Sequence, residues 1–183
     1  MLLDLLYKRR SVRQYQDKPV EKEKINSLLE AALLSPSSRN RHPWEYIVID
    51  EKNILQKLSR AKEHGALFLK DAPLAIAVAA DPQICDVWIE DASIASIIIQ
   101  LTAESLDLST CWIQIRERQN AQGEWAEEIV KKELHLPDYF RVLSIIAIGY
   151  AAENTIPHNK NDLLVSKAHD NNYLLKYQMT GEK

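Results

Sequence analysis

The segment ASIASIIIQLTAESL at residues 92–106 restricts the fold of this chain more than any other feature of its sequence. Nearly all of it is apolar or small. Its polar residues recur as a thin stripe at helical spacing, namely Ser93, Ser96, Gln100 and Glu104. A helix that is apolar on almost all sides must be covered on almost all sides. We therefore expect a central helix over about 86–106 that is covered either by the rest of the chain or by a second subunit.

Length and composition indicate one globular domain, which we expect to span residues 1–183. The formal net charge of −3 argues against a broad nucleic-acid-binding or anionic-membrane-binding surface. The longest apolar run, residues 92–101, is too short to cross a bilayer. Cys85 and Cys111 suit neither a disulfide framework nor a zinc site, and the five histidines lack metal-ligand spacing. We expect a cytoplasmic protein with no metal, no nucleic-acid partner and no membrane partner.

Hydrophobic periodicity predicts that helices and strands alternate along the chain. Apolar residues between Ile25 and Leu33 follow helical spacing, and Pro36 marks the end of that helix. Further helices are predicted at 51–63, 86–106 and 124–135, and buried strands at 45–50, 73–81, 108–113 and 142–150. The periodicity disappears after the last strand, so residues 154–183 are expected to form an extended tail.

Residues 9–15, RRSVRQY, place Arg9, Arg10 and Arg13 around Ser11. Guanidinium groups bind phosphate oxygens in a bidentate way, and a serine hydroxyl adds a further donor. The segment is therefore a candidate phosphate site. A solvated basic turn before the first predicted helix is the alternative interpretation.

A second dense motif, PSSRNRHPW, occupies residues 36–44 and connects a predicted helix to a buried strand. Ser37, Ser38 and Asn40 can supply hydrogen bonds to the polar edge of a heterocycle, although the same residues are common in ordinary turns. We expect Trp44 to be a core residue. Neither a GxGxxG nor a GxxxxGK[ST] sequence is present, so the two motifs together suggest a phosphorylated planar cofactor rather than a tightly held dinucleotide.

Four segments, in the same order along the chain, resemble the FMN-dependent nitroreductase family. RRSVRQY is similar to the RRSxRxF that opens the family, and PSSRNRHPW resembles its PSxxNxQPW. DASIASIIIQLTAESLDLSTCWI looks like the family's central helix and following strand, and SIIAIGYAAE matches its late AxGYPxE element. The resemblance covers most of the chain up to about residue 153.

This resemblance implies an α+β fold in which helices flank a central, mostly antiparallel sheet. It also implies a homodimer built around the long central helix, with FMN at the dimer interface. The FMN phosphate would be held by Arg9, Arg10 and Ser11, and Arg13 would lie near the ribityl chain or flavin ring. The residues expected to reach the flavin of the other subunit are Pro36, Ser37, Ser38 and Asn40. Lys167 resembles the basic residue that completes the phosphate site, and the tail is expected to pack on the partner.

Three positions depart from the family pattern or extend it. His42 stands where the family usually has Gln, which changes the donors near the substrate and adds a titratable group. The family's GLG turn is replaced by residues 106–109, LDLS, in which Asp107 can still adopt a left-handed turn. Arg116 follows a predicted strand, and our hypothesis is that it favours anionic substrates or the NADPH phosphate; a surface arginine without such a role is the alternative interpretation.

The resemblance therefore implies an FMN-dependent NAD(P)H oxidoreductase that reduces nitroaromatics, quinones or similar electron-poor acceptors. The flavin N5 carries the redox chemistry, so no side-chain acid or base is assigned a catalytic role. Donor and acceptor would use one pocket in turn, which predicts ping-pong kinetics. Two alternatives stay open. One is a flavin reductase for a specialised reaction such as reductive dehalogenation, and the other is a flavin-binding or sensor protein with little turnover.

Overall fold

The computed structural model describes residues 1–179, in which helices and strands combine in an α+β fold. The helices are α1 (Leu2–Lys8), α2 (Lys22–Leu33), α3 (Lys52–Leu58), α4 (Trp88–Ser105) and α5 (Ala126–Glu133). The strands are β1 (Trp44–Ile49), β2 (Leu74–Ala80), β3 (Ser109–Gln114) and β4 (Arg141–Gly149).

Each predicted helix and strand is confirmed, with most boundaries shifted by only a few residues. The predicted helix 51–63 is too long, because the chain turns after Leu58 and reaches a left-handed conformation at Gly65. α1 is not among the predicted elements, since Asp4 interrupts its short apolar sequence.

The four strands form one antiparallel sheet in the order β1-β2-β4-β3. The central strands β2 and β4 are nearly continuous apolar runs, as expected for strands whose two faces are both covered. Alternate β2 side chains point to opposite faces. Those in the core with α3 and α5 are Ala75, Ala77 and Ala79, and those in the core with α2 and α4 are Leu74, Ile76 and Val78.

α4 turns the middle of its polar stripe, Ser96 and Gln100, towards the sheet of its own chain. Ser96 Oγ lies 3.1 Å from Ser144 Oγ on β4, and the Thr110 hydroxyl donates to Gln100 Oε1 at 3.4 Å. The other side of α4 is less covered, since Ile94 is 38% exposed and residues 97, 98 and 101 are only half-buried. Residues 1–179 of one chain therefore do not complete the cover that this apolar helix requires.

Further apolar side chains are exposed on α1 and in the tail. α1 packs against α4 and exposes Leu2, Leu3 and Leu6. The predicted extended tail contains short 3-10 turns at Lys160–Asp162 and Val165–Lys167, and its last residues, 180–183, lie outside the described part of the chain. None of the helices within residues 1–179 is sufficiently long and apolar to cross a bilayer.

Candidate functional site

The segment at residues 9–15 joins the sheet region through isolated backbone bridges, of Ser11 with Thr110 and of Tyr15 with Ala151. Its Val12 N–H donates to the Thr110 carbonyl of β3 at 3.0 Å, and the Gln16 N–H donates to the Tyr150 carbonyl at 2.8 Å. Val12 is buried in this arrangement, whereas the neighbouring Ser11 and Arg13 point outwards and are exposed. The backbone pairing therefore holds the basic side chains on the surface of the molecule.

Glu153 fixes this segment from the other side. Its Oε1 atom accepts the backbone N–H groups of both Arg13 and Gln14. The Tyr15 hydroxyl, which is buried, donates to the Val12 carbonyl at 2.7 Å and closes the segment on itself. Glu153 was not predicted as a site residue, although it is the last residue of the GYAAE sequence that carries part of the family resemblance.

The four residues of the predicted phosphate segment, Arg9, Arg10, Ser11 and Arg13, come together in the lining of one surface groove of about 460 Å³. The same groove is also lined by Asn154, Thr155, Ile156 and His158. Within residues 1–179, none of these three guanidinium groups forms an ion pair with a carboxylate. The groove therefore carries uncompensated positive charge, which is the property expected of an anion site.

His158 is a groove residue that sequence reasoning did not identify. Its two ring nitrogens lie 3.1 and 3.2 Å from Arg10 Nη1, so a neutral imidazole can accept from that guanidinium. Its backbone N–H donates to the Tyr7 carbonyl at 2.8 Å, and its Nδ1 lies 3.5 Å from the Asp162 carboxylate. These contacts fix the beginning of the tail beside the arginines.

Cys111 and Lys62 lie close to the same edge of the sheet. Burial raises the pKa of the Cys111 thiol, although the nearby Arg13 acts in the opposite direction. The thiol is free and buried, as expected of a small core residue. Burial lowers the pKa of Lys62, and the positive charge of Arg118 lowers it further. Lys62 is thus a half-buried cation near Cys111 and Arg118 that sequence reasoning did not identify.

The second motif forms a strained loop before β1. A 3-10 turn covers Ser38–Asn40, and Arg39, Asn40 and His42 all have positive φ values of 52°, 56° and 49°. The Ser37 hydroxyl accepts the His42 N–H at 2.8 Å, while the Ser38 N–H donates to Asp91 Oδ1 on α4 at 2.8 Å. Asparagine tolerates the left-handed region better than most residues, whereas arginine and histidine adopt it at a cost.

Two aromatic rings follow this loop. Trp44 is buried, which confirms its prediction as a core residue, and its indole Nε1 has no hydrogen-bond partner among the described residues. The exposed His42 ring meets Trp44 edge-on, with 5.0 Å between the ring centroids. Pro36 and Asn40, like His42, are exposed on the surface of the loop.

The two motifs lie at opposite ends of α4 and do not meet within one chain. The loop of the second motif contacts Asp91, in the first turn of α4, and continues into the edge strand β1. The segment with the arginines pairs with the other edge strand, β3, and its neighbour Lys8 lies 3.4 Å from Glu104 at the last turn of α4. An 18-residue helix is about 27 Å long. A single chain therefore leaves the motifs far apart.

The remaining predicted residues have separate surroundings. Lys167 is exposed in the tail and does not line the groove. Arg116 forms an ion pair with Glu117 at 2.6 Å, so its charge is already partly compensated. Asp107 has a φ of 57°, which confirms the prediction that it adopts a left-handed turn.

Comparison with known proteins agrees with these features. The sequence profile of the nitroreductase family matches residues 6–67 and 60–150. A putative NADH dehydrogenase/NAD(P)H nitroreductase of Methanothermobacter thermautotrophicus is 35% identical over 84% of this chain and 78% of its own length. A solved FMN-dependent nitroreductase of Clostridium difficile R20291 is 47% identical, has a TM-score of 0.91, and is matched over 93% of this chain and 99% of its own.

A second solved structure, a putative NADH dehydrogenase/NAD(P)H nitroreductase of Parabacteroides distasonis, is 37% identical with a TM-score of 0.84, over 93% of this chain and 98% of its own. The profile match extends over the helix α4, the sheet and both motifs. The chain therefore belongs to the nitroreductase family of oxidoreductases.

Proposed function

We propose that this protein is an FMN-dependent NAD(P)H oxidoreductase that reduces nitroaromatics, quinones or similar electron-poor acceptors. The observation that carries the proposal is the groove of Arg9, Arg10, Ser11 and Arg13, whose guanidinium groups lack carboxylate partners within the described residues. The names of two relatives add support. One is the FMN-dependent nitroreductase of Clostridium difficile, and the other is an FMN reductase of Bacillus subtilis that is 28% identical over 93% of this chain.

The chemistry of the groove suits the phosphate of FMN. A phosphate monoester carries nearly two negative charges at neutral pH and offers three strong acceptor oxygens. Arg9 and Arg10 can bind those oxygens in a bidentate way, and the Ser11 hydroxyl can donate to a third. His158 is beside Arg10 and would donate once it is protonated. The assignment of Lys167 to the same phosphate stays a prediction.

We also propose that the protein is a homodimer and that each flavin is bound by both subunits. Residues 1–183 would form one domain, and the tail from about residue 154 would pack on the partner. The partly covered side of α4 and the exposed leucines of α1 support this proposal, since large exposed apolar surfaces mark interaction sites. The separation of the two motifs supports it as well, because Pro36, Ser37, Ser38 and Asn40 would reach the flavin of the partner subunit.

When bound, FMN supplies the group that takes a hydride from NAD(P)H and passes electrons to the acceptor. This chain's residues would bind and orient it. Arg13 is positioned through its backbone by Glu153, and its guanidinium would stabilise negative charge on the reduced ring. Donor and acceptor would occupy the same face in turn, so we expect ping-pong kinetics. Roles for His42 and Arg116 in selecting the acceptor stay predictions.

Flavin binding and reduction test this proposal directly. The purified protein should quench the fluorescence of added FMN, and anaerobic NAD(P)H should bleach the bound flavin within seconds in a stopped-flow instrument. Arg10→Ala should weaken FMN binding about tenfold or more while leaving riboflavin binding unchanged, because riboflavin has no phosphate. Arg60→Ala changes an exposed arginine outside the groove and provides the matched control.

Two results would contradict the proposal at different levels. A protein that binds no FMN is not a flavoenzyme. A protein whose bound FMN stays oxidised under NADH and NADPH is a flavin-binding or sensor protein instead.

A further inference from the structure

We propose that Asp91 is a positioning residue for the flavin ring, because it holds the loop at residues 36–42 in the conformation that presents Ser38 and Asn40 to the partner subunit's flavin. This inference rests on the proposed function and concerns the ring of the flavin rather than its phosphate. Asp91 was not selected from the sequence, since it lies 53 residues away from the serine it contacts.

The contact joins a buried side chain to the backbone of the loop. Asp91 is only 3% exposed, and its Oδ1 atom accepts the Ser38 N–H at 2.8 Å. Because the donor is a main-chain group at the first residue of the 3-10 turn, the bond fixes the path of the backbone whatever side chains the loop carries. A buried, charge-assisted hydrogen bond is stronger than a neutral one.

The loop needs such an anchor because its own conformation is strained. Three of its residues have positive φ values, and none of them is glycine. Most of its other hydrogen bonds are internal, such as the one from the His42 N–H to the Ser37 hydroxyl. The Arg41 guanidinium also donates to the Ile84 carbonyl at 3.1 Å, but that side chain is exposed. Strained backbone persists only where its surroundings hold it, and it is concentrated at functional sites.

The second carboxylate oxygen of Asp91 takes no part in this anchor. Asp91 Oδ2 is buried and has no hydrogen-bond partner among the described residues. Burial and the adjacent Asp91 carboxylate both raise the pKa of the nearby Cys85 thiol, so the thiol beside Asp91 is kept in its protonated form. The first turn of α4 contributes only its partial positive charge. Only Oδ1 therefore contributes to the anchor, and an uncharged side-chain oxygen at the same position can accept the Ser38 N–H as well.

This role predicts a distinctive pattern of flavin affinities. Asp91→Ala releases the loop, so the protein should lose contacts to the flavin ring, which FMN and riboflavin share. The dissociation constants of both flavins should therefore rise by the same factor, about tenfold. Arg10→Ala, in contrast, should weaken FMN alone.

The experiment measures the fluorescence quenching of FMN and of riboflavin on the full chain. Asp91→Asn keeps an oxygen acceptor for Ser38 and should restore most of the affinity for both flavins. Glu90→Ala removes an exposed acid from the same helical turn and should change neither constant. Trypsin provides a second measurement, because Arg39 lies within the loop and should be cleaved faster in Asp91→Ala than in the parent protein.

Each outcome decides the proposal. The proposal is overturned if Asp91→Ala leaves both dissociation constants unchanged or weakens the binding of FMN alone. It is also overturned if the Ala and Asn variants lose the same amount of flavin affinity. If Asp91→Ala does not fold, hydrogen exchange of the unmodified protein replaces it. The Ser38 amide should exchange slowly in the flavin-free protein and more slowly with riboflavin bound, and rapid exchange in both states would overturn the inference. A parent protein that binds neither flavin would overturn the proposed function itself.

Discussion

Gly149, at the end of β4, provides the sharpest test of how the sheet supports the arginine segment. A Cβ atom added there would lie 2.6 Å from Pro73 Cδ and 2.9 Å from Tyr15 Cδ1. Ordinary contacts begin near 3.4 Å, so Gly149→Ala requires the proline ring to retreat by about 0.8 Å and the tyrosine ring by about 0.5 Å. Gly149 does not have a positive φ, so the effect of this substitution is steric.

Neither neighbour can retreat easily. Tyr15 is 9% exposed and its hydroxyl is bonded to the Val12 carbonyl, while Pro73 leads directly into the buried strand β2. Overpacking of this kind costs about 3 kcal/mol at the upper end of its usual range. Replacing glycine also reduces the entropy of the unfolded chain, which offsets roughly 0.7 kcal/mol of the overpacking cost. We expect Gly149→Ala to lower the free energy of unfolding by about 2 kcal/mol.

Urea unfolding followed by circular dichroism measures this change. Because Tyr15 belongs to the same extended segment as the arginines, FMN affinity should fall as well. Gly123→Ala is the control, since its Cβ meets no atom within 4 Å and its cost comes only from a φ of +81°. The control should lose about 1 kcal/mol and keep its FMN affinity. A Gly149→Ala protein as stable as the parent would refute the packing argument.

Three further outcomes test separate contacts. Glu153→Ala removes the acceptor that fixes the backbone of Arg13, so FMN affinity by fluorescence titration should fall about fivefold, and an unchanged constant would contradict that role. The Tyr150 hydroxyl donates to Glu21 and lowers the pKa of that carboxyl to about 2. A lowered carboxyl pKa stabilises the fold above the unfolded value, near 4.3, and this stabilisation is lost as pH falls towards 2. Tyr150→Phe should therefore make the free energy of unfolding, measured by urea unfolding between pH 2 and 6, fall less steeply as the pH is lowered. The same pH dependence in the variant and the parent protein would argue against the contact. Ile97→Asp puts a charge on the less covered side of α4 and should yield monomers in analytical ultracentrifugation, whereas a persistent dimer would exclude this interface.

The fold could be predicted because its signals are local. The apolar run of α4 and the buried strands were recognisable from periodicity alone. The side to which the polar stripe of α4 points could not be predicted in this way. Ser96 and Gln100 form hydrogen bonds with Ser144 and Thr110, which belong to strands later in the chain. α1 escaped prediction because it is only seven residues long and Asp4 interrupts its apolar sequence.

In the candidate site, too, the residues that are neighbours in sequence could be predicted and those that come from distant parts of the chain could not. Arg9, Arg10 and Ser11 are adjacent in sequence, and the structure brings them together in one groove. Glu153 and His158 join that groove region from about 140 residues further along the chain, so only the tertiary structure shows their proximity. Glu153 at least belongs to a recognisable motif, whereas His158 stands in a segment without periodicity.

The separation of the two motifs along α4 also has a consequence for the symmetry of the proposed dimer. If two copies of α4 pack through their less covered sides about a two-fold axis perpendicular to the helix, the helices run antiparallel. The first turn of one α4, which anchors the loop through Asp91, then lies beside the last turn of the other, near the arginine groove. A parallel arrangement would place the first turns of the two helices side by side and the last turns side by side. The loop of the second motif would then stay far from the arginine groove of either subunit. The proposal that each flavin contacts two subunits therefore requires an antiparallel pair of central helices, and two equivalent flavins follow from the same axis.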